Sequence, residues 1–476
     1  MPDKEGGKVL NDPYFWFLLV SLVGLLGFVS IISLNTGLNH DELEHVHSAW
    51  YVANGFLPYG DFFQNHNPLI WYICAPLLGF LGETAASILA MRVICLFFML
   101  GSLAVSLLIT RRLTSSLPAG IVSLLLLLTS SFFLASAYQI RPDVPQVFFG
   151  LWGVYFLLLF IEKSSGARAV LSGMSLALSF LFLQKAVFLI GAAGLVFVFF
   201  NFRDRLPFRY LLLFGVSFAA PILAFLAVLF FNGLIEDYYI TNYLVNLNRI
   251  RTFSPLRTIS RFADRDYLFL IFALFSLPVL LLARGSDRKT GSLAFITLLM
   301  VLSIRFHDRP HSQNFLPMLP LLAIGLSVFL HRFFERFKTP APAKILIMLL
   351  LIGIPFRNVL PKLHSSNRPR LEAIMHVVEN TGPNDPVYDG NIKFNVYRPD
   401  LHYFWYSVNR GKLLDSYNRV TGNRFGKYDI YDLIFTRKPK FISLFDIDRE
   451  DPRFEKLMRM YSSTPYLDIH RLNKEK

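Results

Sequence analysis

The stretch YFWFLLVSLVGLLGFVSIISL (residues 14–34), followed a few positions later by Asn39-His40-Asp41-Glu42-Leu43-Glu44-His45-Val46-His47, decides how this chain has to fold. The first run carries no charge and is long enough to cross about 30 Å of hydrocarbon. The second cannot follow it into lipid, because each carboxylate must be solvated or paired. The chain therefore leaves the membrane between them. Further apolar runs at 85–110, 117–137 and 208–231 repeat the signal. Of the 476 residues, 54% are hydrophobic and 48 are Phe, and the mean hydropathy is +0.45. Soluble globular chains average about 45–50% apolar residues and lack such repeated runs. The expected fold class is a polytopic α-helical membrane protein.

A formal charge of +14 would point to nucleic acid in a soluble protein. Here it sits in short loops between apolar runs: Arg111-Arg112, Lys163 with Arg168, Arg203-Arg205-Arg209, Arg284-Arg288-Lys289 and Arg332-Arg336-Lys338-Lys344. Such loops mark the cytoplasmic side. No basic stripe carries an aromatic stacking module, so no nucleic-acid partner is expected. Cys74 and Cys95 lie in apolar sequence and imply no disulfide framework. No small-residue cleavage site follows the first run, which reads as a retained span.

With a cytoplasmic N-terminus, spans are expected at 14–34, 85–110, 117–137, 144–161, 169–184, 186–201, 208–231, 267–283, 292–305, 313–330 and 344–359. That makes about eleven crossings. The stretch Leu69 to Leu81 is too short to cross at about 1.5 Å per residue and reads as re-entrant or interfacial. The outer face then receives 35–84, 138–143, Gln184-Lys185, 232–266, 306–312 and everything after 360. Residues 1–360 form a transmembrane module with 35–84 as its first outer loop. Residues 361–476 read as a small soluble α/β domain outside the membrane, with β-like runs at Pro386-Val387-Tyr388 and Lys440-Phe441-Ile442-Ser443-Leu444, and helical patterns at 369–380 and 452–461.

The chemistry-bearing residues fall at the ends of spans. Asp41 and Glu42 are adjacent, so on a helix they point about 100° apart and one of them faces a reacting atom. One could act as general base; alternatively both favour the dipole at a helix start. His40, His45 and His47 add a divalent-metal alternative, set against a simply solvated helix face. The loop goes on through Pro58-Tyr59-Gly60-Asp61-Phe62-Phe63-Gln64-Asn65-His66-Asn67-Pro68-Leu69. Arg141-Pro142-Asp143 offers a planar fork for a phosphate, or a structural pair capping a helix. Lys185 offers a point charge to a phosphate, or snorkels to the interface. Arg305, His307, Arg309 and His311 are cations on the outer face, against the positive-inside rule, which an anionic ligand there would explain.

In this order, the Asp-Glu loop, Pro-Tyr-x-Asp-Phe-Phe-x-x-His-x-Pro-Leu, Arg-Pro-Asp and Gln-Lys resemble the membrane glycosyltransferases of the GT-C superfamily, in particular the bacterial protein-mannosyltransferase-like and aminoarabinose-transferase-like group. Asn314-Phe315-Leu316-Pro317-Met318-Leu319-Pro320 resembles a later family segment. The resemblance implies transfer of a hexose or pentose from a polyprenyl-phosphate donor to a lipid, glycan or protein acceptor, usually with inversion and with no cofactor. It implies Asp41 as base, supported by Glu42 and Asp143. Arg141, Lys185, His307, Arg309 and His311 would serve the lipid phosphate, and Asp61 and His66 would bind substrate. Many relatives carry lysine before the Pro-Leu of the first loop; His66-Asn67 here supplies a hydrogen bond in place of a fixed charge. The location implied is the bacterial cytoplasmic membrane, with the active site facing outward. The alternative, a flippase or transporter for lipid-linked sugars, calls for charges at mid-membrane depth and repeat symmetry, and neither is seen.

Overall fold

The computed structural model describes residues 11–247, 255–282, 287–306, 311–404, 410–424, 429–445, 447–466 and 468–473. Each of the eleven expected spans coincides with a helix, from Pro13–Asn35 through Ala85–Thr114 to Ala341–Arg357. Among the described residues, eight helices are long and apolar enough to cross a membrane. The other three are Leu117–Thr129, Gly166–Phe182 and Leu319–Arg336, the first two short and the last ending in charged residues. The chain divides into two compact units. One contains residues 1–34, 92–224 and 251–365; the other contains 35–91, 225–250 and 366–476.

The first unit is a helical bundle around a Leu- and Phe-rich core that includes Leu18, Leu127, Phe160, Phe197 and Ile324. Where helices cross most closely, only glycine fits. A Cβ on Gly173 would fall on the Phe214 carbonyl, a close approach typical of membrane helices. The basic loops are held to one another. Arg112 forks onto Glu162 at 2.8 and 2.7 Å, Arg288 reaches Asp204 at 2.8 Å, and Arg332 lies 3.5 Å from Asp287. Exposed pairs stabilise little, but they put these loops at one end of the bundle, as the charge pattern requires.

Residues 117–137 depart from the single span expected of them. The helix stops at Thr129, and a short one, Ser131–Leu134, begins after Ser130. The cause lies far along the sequence. Helix Pro255–Leu282 kinks at Asp266, whose backbone (φ −126, ψ 34) is non-helical. The fully buried Asp266 carboxylate accepts from Ser130 Oγ (2.6 Å), Ser131 N (3.1 Å), Ser131 Oγ (3.0 Å) and Phe132 N (3.1 Å). It thus satisfies amides that a broken helix leaves open. Lys362 closes the other end of the short helix, donating to the Leu134 carbonyl at 2.7 Å and the Tyr138 hydroxyl at 3.0 Å.

The second unit gathers three chain segments. Its four-stranded sheet has the order β1-β2-β4-β3, with β1 Val387–Tyr388, β2 Phe441–Ser443, β3 Tyr461–Ser463 and β4 Ile469–Leu472. β1 and β2 run parallel, and the β4 pairings are antiparallel. Helices Arg368–Glu379 and Phe454–Met460 stand where helical patterns were expected. Its segments are separated in sequence by even numbers of span-like helices, six from Ala85–Thr114 to Arg209–Phe231 and four from Pro255–Leu282 to Ala341–Arg357. Helix Leu69–Leu81 lies wholly within this unit.

Candidate active site

The polar stretch after the first span forms helix His40–Ala53. Asn39 caps it: its side chain accepts from Glu42 N at 2.9 Å, and Glu42 Oε2 accepts from Asn39 N at 3.3 Å. This reciprocal capping box occupies two of the amides orphaned at a helix start. It also separates the two neighbouring acids. Glu42 is fully buried in the cap, whereas the Asp41 side chain is 25% exposed, with His40 Nε2 at 3.1 Å from Oδ1.

Beyond its first turn the helix is fastened by polar contacts. His47 Nε2 lies 2.6 Å from Asp400 Oδ2, and the Tyr51 hydroxyl reaches the same oxygen at 3.1 Å. Asn395 Nδ2 donates to Asp400 Oδ1 at 3.2 Å. Burial lifts the Asp400 carboxyl above its usual range, partly offset by His47, and burial beside Asp400 lifts the Tyr51 phenol as well. Trp50 Nε1 donates to Glu83 Oε1 at 2.7 Å, and Arg398 Nη1 meets Glu83 Oε2 at 2.5 Å. Trp71 Nε1 donates to His45 Nδ1 at 3.0 Å, and the rings of His45 and His66 lie 5.6 Å apart.

The first loop is shaped by Tyr59, in the left-handed region at φ 74. Asp61 Oδ2 accepts from Leu57 N at 2.6 Å and closes this turn, while the Tyr59 hydroxyl donates to the His66 carbonyl at 2.7 Å. Asn67 Oδ1 accepts from the Tyr238 hydroxyl at 2.9 Å. Tyr238 stands two residues before a wide helical turn over Ile240–Leu244, a form frequent at functional sites.

In the other unit, Arg141 Nε and Asp143 Oδ2 lie 3.2 Å apart, both buried, with Asp143 opening helix Asp143–Glu162. Lys185 occupies a tight turn, Gln184–Ala186, between two span helices, and its ammonium donates to Asn314 Oδ1 at 2.8 Å. That joins two stretches that stand 129 residues apart.

Residues 65–226 match the family model described as Dolichyl-phosphate-mannose-protein mannosyltransferase. No curated protein matches the chain. Among solved structures, the crystal structure of ArnT from Cupriavidus metallidurans in the apo state is similar with a TM-score of 0.59 at 12% identity, covering 84% of this chain and 90% of that one. The structure of the same protein bound to undecaprenyl phosphate gives 0.58 at 14% identity, covering 81% and 84%. The fold is GT-C. The family model spans residues 65–226 only, and the likeness to the ArnT structures extends over most of the chain at the level of the fold.

Within this fold the expected residues are distributed as follows. Asp41, Glu42, Asp61 and His66 belong to the second unit, and Asp143, Arg141, Lys185 and His311 to the first. His311 is exposed at the start of helix Ser312–Phe315; His307 and Arg309 lie outside the described residues. Among the described residues no three His, Cys, Asp or Glu side chains gather as a metal site. His45 and His47, which the metal alternative would use, bond to Trp71 and Asp400. Sequence reasoning missed Asp400, Asp266 and Lys362. A visible signal existed only for Asp266, an acid at the mouth of an apolar run.

Proposed function

We propose that the protein transfers one sugar from a polyprenyl-phosphate donor to a lipid, glycan or protein acceptor on the outer face of a bacterial cytoplasmic membrane, with inversion at the anomeric carbon. The observation that carries this reading is the division of labour between two adjacent acids. Glu42 is fully buried with one oxygen in the helix cap, while the Asp41 side chain, beside His40, keeps a quarter of its surface exposed on a turn fixed by that cap. A base has to be held still and reachable, and Asp41 meets both conditions.

The acceptor hydroxyl or amine gives its proton to Asp41 as its oxygen or nitrogen attacks the anomeric carbon. The bond from that carbon to the phosphate oxygen breaks, and its electron pair leaves with the polyprenyl phosphate. Attack from the face opposite the leaving group inverts the centre. Arg141 and Lys185 are assigned to the phosphate, Arg141 through its planar fork and Lys185 as a point charge. Cations aimed at charge that develops during bond breaking lower the barrier most where water is excluded. Asp143 holds the Arg141 guanidinium in place, and His40 stands beside the Asp41 carboxylate.

The test is a transfer assay with labelled polyprenyl-phosphate sugar. Asp41→Asn is expected to lose about 10²–10⁴-fold in turnover while still binding donor. Glu42→Gln, which can keep the cap, is expected to retain most activity. Asp41→Asn with near-parental turnover rejects the assignment, and Asp143 becomes the base to test.

A further inference from the structure

The loop between β1 and Leu401 contains an arrangement that the proposed reaction does not use. Asp389 is buried, and its Oδ2 accepts three backbone amides, from Lys393 (2.5 Å), Phe394 (2.5 Å) and Asn395 (2.8 Å). Its other oxygen, Oδ1, is buried and meets no donor among the described residues. The same is true of Asn395 Oδ1. The Asn395 amide nitrogen donates to Asp400 Oδ1, and Asp400 Oδ2 is the atom bonded by His47 and Tyr51 of helix His40–Ala53. Two buried acceptors with no donor, in one small loop, are costly. A proton on Asp389 would turn one of these acceptors into a donor.

We propose that Asp389 is a proton-dependent positioning residue: protonated, it completes the chain through Asn395, Asp400 and His47 that fixes the helix carrying Asp41, and ionised, it loosens that helix. Burial supports this by raising the Asp389 carboxyl from 3.8 to about 6, with the Asp400 charge adding to the effect. The other groups facing it are Arg370, which lies near enough to feel its charge and donates to the Lys393 carbonyl at 3.0 Å, and Lys393, whose ammonium is 2.7 Å from Asp468. Neither cation reaches Asp389 Oδ1.

The sign follows from linkage. The folded protein holds this proton more tightly than the unfolded chain, so its contribution is full below about 3.8 and is lost as pH rises through about 6. The separation of about two units corresponds to up to about a hundredfold in the opening equilibrium. Hydrogen exchange of residues 40–53 in the full-length protein in nanodiscs, corrected for intrinsic rates, tests it between pH 4 and 7. Opening in the parent should rise with pH, approaching that factor, while Asp389→Asn stays protected throughout, because its amide donates at any pH. Equal pH dependence in both proteins overturns the proposal. So does full protection of the parent at pH 7 by added calcium alone, which would make these oxygens a cation site. Should Asp389→Asn not fold, Asn395→Ser removes the acceptor and should move the parent's transition below pH 6; an unmoved transition overturns the latch. Only the final step, from helix to turnover, rests on Asp41 being the base. Turnover of Asp389→Asn relative to parent should rise above pH 6, and exchange that behaves as expected without this rise would retain the latch and reject Asp41.

Discussion

Replacing Asp266 by Ala should break the protein at a point where no substrate need bind. The carboxylate accepts four hydrogen bonds, two from hydroxyls and two from the Ser131 and Phe132 amides. The hydroxyls can rotate to other acceptors, but the amides cannot move without unwinding helix Ser131–Leu134. Each buried amide left without an acceptor costs about 1–3 kcal/mol, so the loss is on the order of 4 kcal/mol. Asp266→Asn keeps one acceptor oxygen and turns an NH₂ toward donors, so it should recover only part of this. The molecule carries its own reporter. Cys95, in the bundle, is a fully buried thiol, hence slow to react until the bundle opens, and a thiol-reactive fluorogenic dye follows melting in detergent. Asp266→Ala should melt many degrees below the parent, and Ser131→Ala should lose much less in the Asp266→Ala background than alone. A variant that melts with the parent, or two losses that simply add, would refute the claim that this carboxylate holds the break in the span.

Lys185→Ala is expected to weaken binding of polyprenyl phosphate itself about tenfold or more, as loss of a charge-assisted contact does; unchanged affinity in a lipid-binding titration removes Lys185 from the phosphate site. Chelation with EDTA should leave transfer intact, and rescue by a divalent ion after its loss would reassign the reaction to metal chemistry. Phe56→Cys and Arg419→Cys, both in the second unit, should label with a membrane-impermeant reagent from the same side of sealed vesicles. Labelling from opposite sides would contradict the even span count.

The apolar runs were legible because burial in lipid is a property of local composition. Every run from 14–34 to 344–359 became helical, with 117–137 broken in two. The β-like runs at Val387 and Phe441 were legible for the same local reason. What sequence could not reveal were partners set by tertiary distance. The interruption at Ser130 depends on a carboxylate 136 residues away, and a run of Leu before it looks like any other span. Asp41 and Glu42 looked equivalent until the Asn39 cap separated them. Asp400 sits in a loop whose local sequence, Tyr397-Arg398-Pro399-Asp400, gives no hint of a histidine waiting at its side.

The bond between His47 and Asp400 joins residues 353 positions apart, and that spacing governs the order of events at birth. Ribosomes add about 5–20 residues per second. Helix His40–Ala53 therefore emerges roughly 20–70 s before the carboxylate that clasps it, an interval set by that rate. During that time the helix can pack on Trp71 and Glu83, which follow it within seconds, but its His47 and Tyr51 lack the partner that comes from the C-terminal segment. Stalling translation before residue 366 should therefore leave the first loop more open to proteases than in the finished protein.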